Sequence, residues 1–337
     1  MPVRIARCNC IHLTGKCCII VLCVLVACFL GIIIPQFMTE PLDEAEEYFL
    51  AHQRAEVPSN LQLAVTTLVL NQGGYLREWI EFHIMMGFEF FIIFDHGSTD
   101  DTLIVLSKFI LSGRVMFIDA ETSFEVCKQG SIARKHHTKH PHSACQGKVF
   151  NFAKEILKGK TKWMGNFDVD EFLWVPQAYQ EIVQPTVFQV LETDFRHFSY
   201  VQVVGSVFGT NGVQHPVFDN TVIETYTRRA KIIPGISDSG GRFGRKALYR
   251  PEYMSYVTVH GAFCVLCWWT IVQPLSWQIR MNHYQFKSRE EQKQKQIVNG
   301  NNAIQYNPST EGFWNVVYDT EILYLLPELK LRLNNTA

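Results

Sequence analysis

The sequence predicts an α/β protein, a mostly parallel sheet with helices on both faces, preceded by one transmembrane helix. Three observations carry that expectation. Past Asn60, strand-like and helix-like segments alternate as strand, helix, strand, helix, strand, which is how a parallel sheet opens. The first three strands lead into Asn71, Asp95 and Asp119, at the edge where such sheets bind ligands. An uncharged run of 17 residues, Cys18 to Ile34, lies ahead of them all.

As a helix that run spans about 26 Å, close to the thinner hydrocarbon core of early secretory membranes. Arg4, Arg7 and Lys16 precede it, while Glu40, Asp43, Glu44, Glu46 and Glu47 follow. The positive-inside tendency then leaves the amino terminus in the cytosol and the bulk of the chain in the lumen. A cleaved signal peptide is the competing reading, but no small-x-small cleavage pattern follows Ile34. The expected organisation is a cytosolic tail over 1–17, a signal anchor over 18–34, a short acidic stem over 35–59 and a lumenal domain over 60–337. With 47% hydrophobic and 19% charged residues the chain can bury a large core. A formal net charge of −1 and no long basic stripe give no reason to expect a nucleic-acid partner.

Of ten cysteines, Cys127, Cys145, Cys264 and Cys267 fall in the part assigned to an oxidising lumen. Four cysteines allow three pairings, of which Cys127 with Cys145 would close a local basic loop. Cys264-Val-Leu-Cys267 has apolar flanks and no second tight pair, so a disulfide or buried thiols fit it better than zinc.

Leu61 to Leu70 reads as a buried strand, followed by turn chemistry at Asn71-Gln72-Gly73-Gly74. Leu76, Trp79, Ile80, His83 and Met86 recur at helical spacing. Phe90 to Phe94 is a second strand ending at Asp95, and Gly97-Ser98-Thr99-Asp100 supplies a turn and a cap for a helix to Leu111. Arg114 to Ile118 is a third strand. A helix over Cys145 to Leu157 and a strand over Lys162 to Phe167 deliver Asp168-Val169-Asp170-Glu171 at the carboxyl edge. Phe198 to Phe208, Thr221 to Arg228 and Lys246 to Tyr249 read as strands, Val257 to Pro274 as a core strand pair, and Glu290 to Val298 as a solvated helix.

Asp168-Val169-Asp170 is the main chemical signal. At an extended strand end, residues two apart point to one side, so both carboxylates can address a single hard cation such as Mn²⁺ or Mg²⁺. Such an ion bridges the phosphates of a nucleotide-sugar. Two acids after a strand more often cap a helix or face water, and their place in this sheet is what favours the functional reading. Asp95 can accept hydrogen bonds from a ribose or base, or simply open its turn. Arg134 to His142 reads as a basic loop, since its lysines and arginine repel a metal. His260 and His283 sit in strand-like sequence, where a histidine is usually a satisfied core residue but can complete a metal shell. No phosphate-cradling P-loop and no hydrolytic triad can be singled out.

Tyr75-Leu-Arg-Glu-Trp-Ile-Glu-Phe-His83, Phe94-Asp-His-Gly-Ser-Thr-Asp100 and Phe167-Asp-Val-Asp-Glu-Phe-Leu173 together resemble glycosyltransferase family 92. The likeness continues through Phe208-Gly-Thr-Asn-Gly212, Glu224-Thr-Tyr-Thr-Arg-Arg229 and Asn282-His-Tyr284 with Lys287-Ser-Arg-Glu-Glu291. The resemblance implies a GT-A type, Rossmann-like fold, a UDP-sugar donor, with galactose as the sugar, a divalent metal, and inverting transfer onto a glycan acceptor. It implies that Asp168 and Asp170 hold metal and donor, with Asn71 and Asp95 on the nucleotide side and His283 as a further metal ligand. An inverting transfer also needs a base for the acceptor hydroxyl, and Glu224 and Asp238 are alternatives. The chain departs from the family pattern at Gln72-Gly73, where an acid often follows Asn71, and at His96-Gly97, where Asn is common. The expected location is the Golgi membrane, single-pass, with the amino terminus inside. A catalytically silent protein of the same fold that binds a glycan or a partner enzyme is the alternative, and a nucleotide-sugar hydrolase or nucleotidyltransferase a third.

Overall fold

A computed structural model describes residues 57–128, 141–177, 185–231, 245–264, 278–299 and 311–335. All lie in one compact unit, Asp43–Ala337. The expected tail and anchor, most of the stem, the basic residues 134–140, Asp238 and Cys267 lie outside the described residues. Among the described residues no helix is long and apolar enough to cross a membrane.

The sheet opens with β1 (Leu61–Val69), an inner strand whose positions are almost all buried. A run that is apolar on both faces suits a strand with a neighbour on each side and a layer above and below. It is followed by α1 (Gly73–Met85), β2 (Phe90–Asp95), α2 (Thr102–Leu111) and β3 (Val115–Asp119). Both helices end at a glycine in the left-handed region, Gly87 with φ 92° and Gly113 with φ 73°. There the backbone N–H groups turn back onto the last carbonyls: Gly87 N–H donates to Ile84 and Gly113 N–H to Ile110. That stop returns the chain to the sheet.

The short turn α3 (Ala120–Ser123) leads to α4 (Pro141–Leu157), β4 (Thr161–Asn166), β5 (Glu171–Trp174), α5 (Val187–Asp194) and β6 (Tyr200–Val207). Next come α6 (Val222–Thr225), β7 (Arg228–Arg229), β8 (Arg245–Tyr249), β9 (Tyr256–Thr258), β10 (Gly261–Phe263) and β11 (Arg280–His283). The chain closes with α7 (Arg289–Asn299), α8 (Glu311–Trp314), β12 (Val317–Tyr318) and α9 (Leu326–Asn335). Eight strands form one sheet in the order β3-β2-β1-β4-β8-β6-β11-β5. Its first half is parallel, as expected, but the second half is mixed: β8 is antiparallel to β4 and β6, and β5 antiparallel to β11. Helices cover both faces. Phe91 of β2 packs edge-on to Trp79 of α1, while Phe94, on the opposite face by the strand's period of two, meets Phe124 and Phe152.

Two buried contacts tie α1 to the site. Trp79 Nε1–H donates to the Glu171 carbonyl at 2.9 Å, and Leu173 N–H points to His83 Nε2 at 3.4 Å. His83 Nδ1 lies 2.8 Å from the Trp79 carbonyl, and burial holds this imidazole down to about 3, so it is a neutral core residue.

The expected strand over Thr221 to Arg228 is instead the single turn α6. Thr221, Val222 and Ile223 have strand propensity, but the buried Glu78 carboxylate accepts from the N–H groups of Val222 (2.7 Å) and Ile223 (3.3 Å), and this remote acceptor wins. Val257 to Pro274 begins as expected with the ribbon β9–β10, beyond which residues 265–277 are outside the described set.

Cys127 and Cys145 are joined, with Cα atoms 4.9 Å apart, and Cys264 is also disulfide-bonded. The first bond ties the segment after β3 to α4. Replacing Cys127 and Cys145 by Ser should lower stability by about 3 kcal/mol, the loop-closure cost of an 18-residue separation, measured by denaturant unfolding. Burial pushes Glu78 up from 4.5 to about 7, against the downward pull of the two N–H donors. The folded chain thus keeps a proton that the unfolded chain releases, so this group's contribution is present below pH 4.5 and lost as pH rises toward 7. Glu78→Gln should flatten that part of the decline when unfolding free energy is measured across the interval.

Candidate active site

β4 ends at Asn166 and the chain reverses into β5, so Asp168-Val169-Asp170 is a tight turn rather than the extended strand end expected above. Glu171 N–H donates to the Asp168 carbonyl at 2.9 Å, and Tyr284 N–H donates to the Asp170 carbonyl at 2.7 Å. The reason is topological. β5 must cross to the far edge of the sheet and run antiparallel to β11, and that pairing sets His283 opposite Glu171.

The turn carries three acids, and each has a cationic neighbour. Lys246 of β8 is 1% exposed and bridges Asp168 Oδ2 (2.7 Å) and Glu171 Oε2 (3.0 Å). Glu171 Oε2 also accepts from Asp168 N–H, and Gln146 of α4 donates to Asp168 Oδ1 at 3.3 Å. Lys295 of α7 donates to Asp170 Oδ2 and to the Gln285 carbonyl, both at 2.8 Å. His283 Nε2 is 3.4 Å from Asp170 Oδ1, and its Nδ1 is 3.8 Å from Glu171 Oε1.

Burial raises all three carboxyl groups, and their neighbours decide the outcome. Lys246 outweighs burial at Asp168, and Lys295 with His283 does so at Asp170, so both are held below the ordinary carboxylate range. At Glu171 burial dominates and the group rises to about 7. Burial lowers His283, but Glu171 and Asp170 more than offset it and hold the imidazole above its ordinary value.

Three buried atoms in this cluster have no hydrogen-bond partner: Asp170 Oδ1, Glu171 Oε1 and His283 Nδ1. Lone pairs left bare beside an imidazole are the donor chemistry a hard or borderline cation takes. Among the described residues no group of three or more His, Cys, Asp or Glu is arranged to hold a metal ion as it stands. The side chains therefore fit a cation that would be held by one carboxylate and an imidazole. Asp170 and His283 are the placed donors. Asp168 accepts from Lys246 on Oδ2 and from Gln146 on Oδ1.

The carboxyl ends of β2 and β3 form a cleft of about 210 Å³ lined by Asp95, Ser98, Asp100, Thr102, Phe117 and Asp119. Asp95 Oδ2 accepts from Ser98 N–H at 3.0 Å, and its buried Oδ1 has no partner. Asn71, in the left-handed region at φ 52°, accepts from Thr99 N–H and donates its own N–H to Ser98 Oγ, both at 2.8 Å. Its amide pins the loop that walls the cleft. Glu224, on α6, accepts from Lys330 at 2.9 Å through Oε1 and keeps a buried, partnerless Oε2; no contact joins it to Asp170 or His283. His260 lies in the β9–β10 turn with Nδ1 3.2 Å from the Arg245 carbonyl.

Sequence reasoning missed Lys246, Gln146, Lys295 and the part played by Glu171. A lone lysine in the apolar strand Lys246-Ala-Leu-Tyr249 was a legible signal, because a buried ammonium needs a counter-ion. Lys295 had none, since its helix reads as solvated.

The model of glycosyltransferase family 92 matches residues 65–311. A glycosyltransferase family 92 protein of Ricinus communis is 23% identical over 158 residues, covering 45% of this chain and 24% of that protein. One of Arabidopsis thaliana is 30% identical over 115 residues, covering 34% and 17%. The matched part is thus a quarter or less of those relatives. Among solved structures, glucosyl-3-phosphoglycerate synthase of Mycobacterium tuberculosis with Mn²⁺, UDP and glucosyl-3-phosphoglycerate is 13% identical, at a TM-score of 0.30 over 64% of each chain. The same enzyme with Mg²⁺ and UDP is 14% identical, at 0.26 over 49% and 48%. The family match runs from β1 past the acidic turn and His283, through well over half of the sequence, and the chain belongs to glycosyltransferase family 92.

Proposed function

We propose that residues 60–337 transfer a hexose, galactose in the leading reading, from a UDP-sugar to a glycan acceptor with inversion, using Mn²⁺ or Mg²⁺. The domain would face the lumen of the Golgi behind the anchor over 18–34. The observation that carries the proposal is the acidic turn at the carboxyl edge of the sheet, where Asp170 Oδ1 and His283 Nδ1 are buried without a hydrogen-bond partner. Family membership supports the reaction class.

In this reading Asp95 takes the nucleoside, with Asn71 holding the wall of its cleft. Asp170 and His283 would hold the cation, which would supply positive charge against the diphosphate. Asp168 keeps Lys246 and Gln146 in place and orients the turn. Inversion requires the acceptor oxygen to bond to the sugar carbon as the carbon–diphosphate bond breaks, the acceptor proton passing to a carboxylate. Glu224, with a bare Oε2, and Asp238 are the two candidates.

One observation favours the non-catalytic alternative: Lys246 and Lys295 already balance Asp168 and Asp170. Thermal unfolding of the chain with UDP, with and without Mn²⁺, separates the readings. Stabilisation by UDP that requires the metal is expected, and none from either would sink the transferase reading. Asp170→Asn should reduce transfer at least about 100-fold with the melting temperature retained, and full activity would remove Asp170 from the site. A metal also needs His283 neutral, so Mn²⁺ affinity should rise with pH through a midpoint above the ordinary imidazole value of 6.5. His283→Ala should abolish that slope, checked by calorimetric titration of the metal.

A further inference from the structure

Lys287 lies between β11 and α7 in the left-handed region, at φ 46°. The residue is 2% exposed. Its ammonium sits 3.3 Å from the centre of the Tyr75 ring and donates to Gln72 Oε1, also at 3.3 Å. Among the described residues no carboxylate lies within 4.0 Å of it. Lys246 and Lys295, by contrast, each hold an acid of the turn. A buried ammonium in contact with a ring face and one neutral amide has its acids, Asp170, Glu291 and Glu78, only at longer range, so no direct ion pair holds it.

The cradle is fixed from behind. Tyr75 Oη–H donates to Glu291, and Glu291 accepts from the hydroxyl and N–H of Ser288, a capping box at the start of α7. The position is also that of the site. Gln72 caps α1 at the carboxyl edge of β1, and Lys287 and Asp170 act on one another electrostatically. Burial, and after it Lys295, lowers the Lys287 ammonium to about 8, the sign of a cation that an incoming anion would stabilise. Lys295, with 34% of its side chain exposed, stands nearer the solvent.

We propose that Lys287 binds the diphosphate of the nucleotide donor, its ammonium serving as the fixed cation against the charge left on the leaving group. This rests on the nucleotide-sugar reading above. As the bond from the sugar carbon to the diphosphate oxygen breaks, its electron pair stays on that oxygen. The acceptor hydroxyl oxygen bonds to the carbon and loses its proton to a carboxylate. Lys287 keeps its protons and contributes charge alone, and Gln72, being neutral, leaves that charge uncancelled.

The test is calorimetric titration of the full chain with uridine and with UDP at fixed Mn²⁺. Lys287→Met should lower the ratio of UDP to uridine affinity at least about tenfold and leave uridine binding unchanged. Gln72→Glu keeps the shape and sets a carboxylate beside the ammonium, so it should lower the same ratio with Lys287 intact, and it decides alone if Lys287→Met fails to fold. An unchanged ratio in a folded variant overturns the inference. A parallel loss of uridine and UDP binding makes Lys287 structural and overturns it too. Absence of any nucleotide binding by the unaltered chain removes the donor reading and this inference with it.

Discussion

A lysine with 1% of its side chain exposed, Lys246, holds together the two ends of the acidic turn by bridging Asp168 and Glu171. Burying an ammonium and two carboxyl groups is costly, and the arrangement persists only because each has partners in place. Burial lowers the Lys246 ammonium, but Asp168 and Glu171 outweigh it and raise the group beyond the ordinary lysine range. The sheet's change from parallel to mixed at β8 sets Lys246 beside the end of β4. Without that inserted antiparallel strand, the acids after β4 would face solvent or one another.

Around this bridge the cluster is arranged so that different acids have different jobs. Asp168, with 31% of its side chain exposed, accepts from Lys246 on one oxygen and Gln146 on the other. Asp170 is paired on one oxygen with Lys295, and its other oxygen lies 3.4 Å from His283 Nε2 without a hydrogen bond. Glu171, wholly buried, is pushed up to about 7 and receives its orientation from Lys246, from Asp168 N–H and from the Trp79 contact to its carbonyl. Two aspartates two residues apart thus have different partners, Lys246 and Gln146 for one and Lys295 and His283 for the other.

The second feature of the site is its distribution of positive charge. Lys246 is internal and doubly paired, Lys295 is singly paired and partly exposed, and Lys287 is internal with no carboxylate in direct contact, its acids acting from longer range. That gradient runs from a structural cation to one available to an anion, along the edge where β1, β4 and β11 end. The neutral Gln72 matters here as much as the lysine, since an acid in its place would complete the pairing.

The sequence by itself determined the parallel half of the sheet, because each strand there is a continuous apolar run and each helix shows its own period and stop. It also located Asp95, Asp168, Asp170 and His283 near strand ends, and the family resemblance joined them into one site. The Cys127–Cys145 bond was among the pairings that its spacing allowed. Tertiary structure decided what depends on partners far away in the chain. Glu78 made a helical turn of Val222–Thr225, and the β5–β11 register set His283 against Glu171. The antiparallel β8 delivered Lys246, and a helix that reads as solvated delivered Lys295. Local periodicity records which face of an element is apolar. It does not record which buried charge meets which, since that is fixed only when distant strands take their order in the sheet.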